Sequence, residues 1–260
     1  MIKILKYSCY DLLRSRWSYV YFIFYLLLGF VLLFLNNDLS KAVITLLNVV
    51  IVLVPLIGTV FGVMYYYNSK EFTTLLLSHP MKRSTIFLGQ YFGVASSLSL
   101  SLLLGLGIPF LAYGVFKSAA IWDFGLLLVV GVFLTFIFTA FAYTIALYNE
   151  NKIKGFGYAI MLWLCMAVIY DGLFLLSLIA FEEYPLENVS LIGTMLNPID
   201  LSRVLILLKL DISALLGYTG AVFQKFFGNQ WGFFTALVVL LCWVIAPLFF
   251  MKRKVMRKDF

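Results

Sequence analysis

Six stretches of this chain are predominantly apolar and long enough to cross a bilayer. They cover residues 17–35, 42–67, 86–116, 121–148, 155–181 and 231–251. About 20 apolar residues suffice for a helix to span the hydrocarbon core, and these runs lack the polar–apolar alternation of barrel strands. The sequence therefore predicts an all-α integral membrane protein with six transmembrane helices, in one transmembrane domain over residues 1–260.

The composition excludes a soluble domain. Hydrophobic residues make up 63% of the chain, charged residues 12%, and the mean hydropathy is +1.03. A soluble domain of this composition would expose large apolar patches to water. The first apolar run is too long for the core of a cleavable signal peptide, so we expect it to remain as the first span.

Basic residues indicate the orientation of the chain. Of its 19 Lys and Arg residues, 14 fall in residues 1–16, 68–85, 149–155 and 252–258, which alternate with the other connections. Short basic segments stay in the cytoplasm, so both termini are predicted to be cytoplasmic. This asymmetry accounts for the net charge of +7, and no nucleic-acid partner is predicted from it.

Residues 1–16 read as an amphipathic elbow helix in the membrane interface. Their apolar side chains fall near one helical face and most of their basic residues fall elsewhere. Trp17, Tyr19 and Tyr21 favour this interpretation over a frayed basic terminus, because aromatic side chains anchor at the interface. Membrane lipids are therefore expected partners of this segment.

Asp171 is the only acid deep in a predicted span. A carboxylate is costly in hydrocarbon, which makes it a candidate functional residue. The alternative is a structural carboxylate that accepts hydrogen bonds from hydroxyl groups of neighbouring helices, in its ionised or protonated form. No second carboxylate or cation is evident at the same depth in the sequence.

The connection at residues 182–230 is too long for a simple turn, and we expect a small helical domain on the periplasmic side. Residues 200–211 (DLSRVLILLKLD) and 213–227 (SALLGYTGAVFQKFF) each predict a short helix, the first with Asp200 as its N-cap. Both are too short to span the bilayer. They are expected to lie on or dip into the outer leaflet, where a partner could reach them.

Motifs for catalysis and metal binding are missing from the sequence. It has no GxxxxGK[ST] loop, HExxH or GxSxG motif, and His79 is its sole histidine. No catalytic residue and no metal site are predicted. If the protein is a transporter, its energy comes from a separate subunit or from an ion gradient.

Residues 68–85 (NSKEFTTLLLSHPMKRST) form a polar interruption between two apolar runs, and they resemble the ExGTLELLLxxPxxR pattern of ABC-2 type permeases. Ser69 and Glu71 stand where that pattern has its acid and its glycine. The resemblance implies a cytoplasmic coupling helix that docks on a separate ATPase, with ATP and Mg bound there and no cofactor in this chain. The implied docking residues are Glu71, Thr74, Leu75, Leu76, Pro80 and Arg83.

The connection at residues 149–155 (NENKIKG) is the candidate for a second contact with that ATPase, through Asn149 and Lys152. Its pattern fits a short solvated turn equally well.

The external connection extends the resemblance. Residues 196–211 and 217–223, with LGQYFG at 88–93, resemble the permeases of the Nos ATP-binding-cassette system. That resemblance implies a homodimer in the bacterial inner membrane, with a NosF-like ATPase inside and a NosD-like periplasmic protein outside. Its implied role is export of a factor for copper-centre assembly of nitrous oxide reductase, with a sulfur species as one candidate. The expected periplasmic contacts are Asn197, Pro198, Asp200 and Arg203, although Asp200 and Arg203 could instead pair with each other.

Two other functions stay open from the sequence. The chain could be a scaffold that transmits motion to a periplasmic partner without passing cargo. It could also be an intramembrane enzyme using Asp171, although such enzymes need a second carboxylate, an activated serine or a metal.

Overall fold

The computed structural model describes residues 2–36, 39–78, 81–118, 120–181, 187–210, 220–227 and 230–257, and its elements there are all helical. The helices are α1 Ile2–Arg14, α2 Arg16–Leu35, α3 Leu39–Asn68, α4 Lys70–Leu77, α5 Arg83–Ala112, α6 Ile121–Tyr148, α7 Lys152–Leu164, α8 Tyr170–Ala180, α9 Glu187–Met195, α10 Pro198–Lys209, α11 Gly220–Phe227 and α12 Gln230–Arg257. A 3₁₀ turn, Val115–Lys117, precedes α6, and a π-helical turn, Cys165–Ile169, joins α7 to α8.

Six helices of the described residues are long and apolar enough to cross a membrane, which confirms the predicted number of spans. They are α2, α3, α5, α6, the combined α7–α8 and α12. The third ends at Ala112, earlier than expected, and Gly114 follows with a φ of 81°, a left-handed conformation that glycine adopts at no steric cost. The sixth continues to Arg257, so the basic residues after 251 extend a helix.

The centre of the bundle is formed by α3, α5 and α6. Inside the chain, 50 to 61% of the apolar segment of each of these helices is buried. The corresponding share is 11 to 28% for α2, α7–α8 and α12. Gly62 allows α3 to approach α6 closely, since a Cβ there would lie 2.7 Å from the Cβ of Ala142. Such approaches are how helices associate where lipid removes the hydrophobic driving force. The outer spans present their apolar faces outward.

The N-terminal helix α1 is separate from the first span. An extended residue, Ser15, divides α1 from α2. Ile4, Ser8 and Leu12 form its buried stripe, and a Cβ on Gly93 of α5 would lie 2.6 Å from the Cβ of Ser8. Helix α1 is therefore packed on α5, and its position in the membrane interface stays a prediction.

Two helices of the external connection, α9 and α10, enter the helical bundle. Helices α9 and α10 are bent by 112° relative to each other. The Trp243 indole donates to the Met195 carbonyl at 3.1 Å, and the Asn197 amide donates to the Met166 carbonyl at 2.8 Å. Helices α9 and α10 together, residues 187–209, are called the elbow hairpin below. Trp243 and Met166 lie at the middle of the sixth and fifth spans, so the tip of the elbow hairpin enters the bundle to mid-depth. Of the second expected helix the structure describes α11, Gly220–Phe227, and residues 211–219 lie outside the described residues.

Candidate functional site

Helix α4 exposes three of the four predicted docking residues that it contains. Glu71, Thr74 and Leu75 are exposed, and 66% of Leu75 is accessible. Leu76 is half-buried. An apolar side chain so open on a short helix outside the spans is available to a partner.

One side chain of α4 turns inward and fastens the helix to the bundle. Thr73 is buried, and its hydroxyl accepts a hydrogen bond of 2.9 Å from the Gln90 amide of α5 while donating to the Ser69 carbonyl at 2.8 Å. Gln90 is fully buried. A buried polar pair of this kind fixes geometry, because breaking it strands a donor away from water.

A second contact joins α4 to α1. The rings of Phe72 and Tyr7 stack with their centroids 4.7 Å apart. Helix α4 therefore contacts both α5 and the N-terminal helix.

The remaining two predicted docking residues follow α4. Arg83 is exposed and is the first residue of α5, so it belongs to the next span. Pro80 lies outside the described residues.

The predicted second contact lies beside α4. The Tyr67 hydroxyl donates to the Asn149 carbonyl at 2.7 Å, and the Lys152 ammonium donates to the Asn68 side chain at 3.2 Å. Tyr67 and Asn68 are the last residues of α3, directly before α4. Residues 149–155 and α4 are thus brought together at one end of the bundle, which we call the α4 end.

The connection at 149–155 contains the N-cap and the first turn of α7. The Asn151 side chain caps α7 by accepting from the backbone N–H groups of Ile153 and Lys154, at 2.9 and 3.3 Å. Ile153 is 82% exposed. The C-terminal helix reaches the same end, where the Lys254 ammonium lies 4.6 Å from the centre of the Tyr148 ring.

The predicted periplasmic contacts form a buried polar cluster at the elbow hairpin. Asn197 caps α10 by accepting from the Ile199 N–H at 3.0 Å, and its amide donates to Asp200 Oδ2 at 2.9 Å. Asn197 is 1% exposed and Asp200 5%. Pro198 is buried at the first helical position, where its missing N–H costs nothing. The expected N-cap at Asp200 is wrong, because Asn197 takes that role.

Burial changes the interpretation of these residues. Asn197, Pro198 and Asp200 hold the elbow hairpin together and are not open to a partner in this conformation. Arg203 is the partly exposed member, at 27% of its side chain. A periplasmic partner contact stays a prediction, and Arg203 is the residue of the four that can make it directly.

Asp171 has the partner that the sequence did not reveal. Arg203 Nη1 lies 2.8 Å from Asp171 Oδ2 and 3.6 Å from Asp200 Oδ1. Asp171 therefore accepts from a guanidinium and not from the hydroxyl groups that were expected. Asp200 and Arg203 also approach each other, which is the predicted alternative for that pair. This pairing explains an intramembrane carboxylate without any enzymatic role.

The fifth span contains a π-helical turn where it contacts the elbow hairpin. Its π-helical turn contains Met166, whose carbonyl accepts from Asn197, and just beyond it the Tyr170 hydroxyl donates to the Gly193 carbonyl at 2.6 Å. Single π turns inside α-helices are frequent at functional sites. The hairpin and the fifth span are thus joined by three side chains, Asn197, Tyr170 and Arg203.

Sequence reasoning missed several residues of both regions. Gln90 interrupts an apolar span, a signal that marks a polar residue with a structural partner. Asn197 directly before a proline is an N-cap signature. Thr73 and Tyr67 carry no such signal, since their partners are Gln90 and Asn149, distant in the sequence.

Comparison with known proteins agrees with this architecture. The family model described as "ABC-2 family transporter protein" matches residues 11–216. The "probable ABC transporter permease protein NosY" of Stutzerimonas stutzeri is 27% identical over 213 residues, covering 75% of this chain and 76% of the relative. The protein of the same name from Pseudomonas aeruginosa is 25% identical over 220 residues, covering 78% and 80%.

These matches confirm the resemblances drawn from residues 68–85 and from the external connection. The family match covers more than half of the chain, including the α4 end, α5, the fifth span and the elbow hairpin. With six candidate spans and an all-helical fold, the chain belongs to the ABC-2 transporter family, as a multi-pass permease similar to NosY.

Proposed function

We propose that this protein is the non-catalytic transmembrane subunit of an ATP-binding-cassette transporter, and that the α4 end docks on a separate ATPase. The observation that carries the proposal is the division of α4 into two faces. Glu71, Thr74 and Leu75 are exposed, whereas Thr73 is buried against Gln90. A helix that is fixed through Thr73 and exposes Leu75 on its other side can receive a force and pass it on.

Three contacts at the α4 end can transmit a movement of α4 to the rest of the bundle. One runs through Thr73 and Gln90 to α5, and another through Phe72 and Tyr7 to α1. The third runs from the end of α3 through Tyr67 to Asn149, and so to the fifth span. Closure of the ATPase around ATP and Mg would then shift several helices together.

The α4 end is the cytoplasmic end in this proposal. It gathers Lys70, Lys152 and Lys254, in keeping with the preference of basic segments for the cytoplasm. Both termini would then be cytoplasmic, and the protein would sit in the bacterial inner membrane. ATP and Mg would bind only in the partner, since this chain has no phosphate-binding loop.

Similarity to NosY supports a more specific role. On that basis the permease forms a homodimer, binds a NosF-like ATPase at the α4 end and contacts a NosD-like periplasmic protein near Arg203. It exports a factor for copper-centre assembly of nitrous oxide reductase, with a sulfur species as one candidate cargo.

A second function, transmission of motion without cargo, is favoured by the elbow hairpin. Asn197 and Arg203 fasten the hairpin to the fifth span at mid-depth, so movement of that span carries the hairpin toward a periplasmic partner. Spin labels on the hairpin at Lys209 and on the partner would measure this in proteoliposomes that hold no cargo. An ATP-dependent distance change there supports transmission, and a change only when cargo is added supports transport.

The docking assignment is tested by co-purification with the NosF-like ATPase of the same organism. Leu75→Glu should weaken the complex about tenfold or more, because it places a charge in an apolar contact. Phe116→Glu is the matched control: Phe116 is 70% exposed on a short helical turn at the opposite end. Normal assembly of the Leu75→Glu variant, or equal loss in both, would refute docking through α4.

A further inference from the structure

A cleft of about 330 Å³ opens between α1, the start of α2, the end of α3 and α4. Four aromatic side chains line it, Tyr7, Trp17, Tyr65 and Phe72. Tyr7 and Phe72 are the pair whose rings stack between α1 and α4. The cleft therefore lies beside the contact that joins these two helices.

Asp11 gives the cleft a negative charge, and its other polar side chains are uncharged. Asp11 lines it, is exposed, and forms no ion pair with a Lys or Arg of the described residues. The Tyr65 side chain is 6% exposed, and its hydroxyl, near Ser8 and Asp11, makes no hydrogen bond within the described part of the chain. The Ser15 hydroxyl is likewise buried without a partner there. A buried polar group without a partner is costly unless a ligand satisfies it.

This lining selects a cation. Aromatic faces attract ammonium groups through their quadrupoles, and a carboxylate beside them adds charge and accepts N–H donors. No lysine or arginine lines the cleft, although the α4 end is otherwise basic. An anionic ligand would meet Asp11 without a compensating cation inside the cleft.

The surroundings of the cleft fit a zwitterion. Arg14 and Arg16 are exposed on either side of Ser15, where they can bind a phosphate next to the cleft. Trp17 and Tyr7 are aromatic side chains of the kind that lie at lipid headgroup depth. We infer that this cleft binds the headgroup of phosphatidylethanolamine, with the ammonium against Asp11 and the rings and the phosphate toward Arg14 and Arg16.

A lipid bound there would contact α1, α3 and α4 at once. It would stabilise α4 in its present position, because the headgroup fills the space beside the Tyr7–Phe72 stack. The binding itself does not require an ATPase, so its test is independent of the proposed function.

Lipid retention on the purified full chain provides the test, measured by native mass spectrometry after extraction from mixed vesicles of phosphatidylethanolamine and phosphatidylglycerol. We expect phosphatidylethanolamine to be retained preferentially, and Asp11→Asn to reduce its retention about tenfold, which corresponds to one charge-assisted contact. Glu71→Gln, a change at an exposed carboxylate outside the cleft lining, is the matched control and should retain the lipid fully. Unchanged thermal unfolding of Asp11→Asn shows that the variant is folded.

Three results would overturn the inference. The first is equal retention of both lipids by the unmodified chain, and the second is full retention by Asp11→Asn. The third is Asp11-dependent binding of soluble phosphoethanolamine without preference for the lipid, which would assign the cleft to a soluble amine.

Discussion

The α4 end and the elbow hairpin are both expected from the sequence to contact a partner, but their side chains are disposed in opposite ways. At the α4 end Glu71 and Leu75 are exposed, and Thr73 is the buried anchor. At the hairpin Asn197 and Asp200 are buried, and Arg203 alone of the four expected contacts is partly open. The α4 end is built to be contacted, whereas the hairpin is built to be held.

The largest effect on stability is expected from Arg203→Met. The substitution leaves Asp171 and Asp200 close together without their cation. Stranding buried charges costs ~3–5 kcal/mol when both are fully buried. Because Asp171 is 26% exposed, we expect about 2–4 kcal/mol, seen as a lower Tm in detergent or nanodiscs.

Lys209→Met is the control for that change, since Lys209 is an exposed cation on the same helix. It should leave Tm nearly unchanged. Adding Asp171→Asn to Arg203→Met should recover part of the loss, because one of the stranded charges is removed. An Arg203→Met protein as stable as the unmodified chain would mean that the hairpin is not held by this cluster.

The next effect is local and concerns the anchor of α4. Thr73→Val keeps the shape of the side chain but leaves the Gln90 amide without its acceptor. A stranded buried donor costs about 1–2 kcal/mol, and we expect it to appear as faster hydrogen exchange in residues 70–77. Thr74→Val is the control, because Thr74 is exposed and its hydroxyl reaches only the Lys70 carbonyl of its own helix. Equal exchange in both variants would show that the bond to Gln90 does not hold α4.

A smaller effect is expected where the connection at residues 149–155 contacts the end of α3. Tyr67→Phe removes the hydroxyl that donates to the Asn149 carbonyl at 2.7 Å, a loss of about 1 kcal/mol. Hydrogen exchange in residues 149–155 should rise. Tyr65→Phe serves as the comparison, since the Tyr65 hydroxyl makes no hydrogen bond within the described residues. If both substitutions raise exchange equally, the loop is not positioned by Tyr67.

The spans could be predicted from the sequence because hydropathy and helix length are local properties. The predicted 121–148 matches α6, and the other spans differ mainly at their ends. Those ends depend on details beyond hydropathy, such as Gly114 with its positive φ. The entry of α9 and α10 into the bundle could not be predicted, because it rests on contacts of Trp243 and Met166 with residues far away in the chain.

The site was predictable to the level of segments, and less so for single residues. Residues 68–85 carry a recognisable family pattern, and Glu71, Thr74 and Leu75 are exposed on the helix that forms there. The pairing of Asp171 with Arg203 was not evident, since the two are 32 positions apart and Arg203 falls in a segment expected to lie on or dip into the outer leaflet. Which of the two segments is buried is decided by tertiary packing.

The smallest effect on stability should come from Ile153→Glu, a substitution at the α4 end. Ile153 is 82% exposed, so the free energy of unfolding should change by less than about 0.5 kcal/mol. Were residues 149–155 a second contact for the ATPase, the variant would bind it about threefold to tenfold more weakly, because Ile153 is the most exposed apolar side chain of that loop. Isothermal titration of the permease in nanodiscs with the ATPase would measure this, with Phe116→Glu as the control at the opposite end. Full affinity in Ile153→Glu, together with a loss in Leu75→Glu, would reduce residues 149–155 to a solvated turn and leave α4 as the docking element.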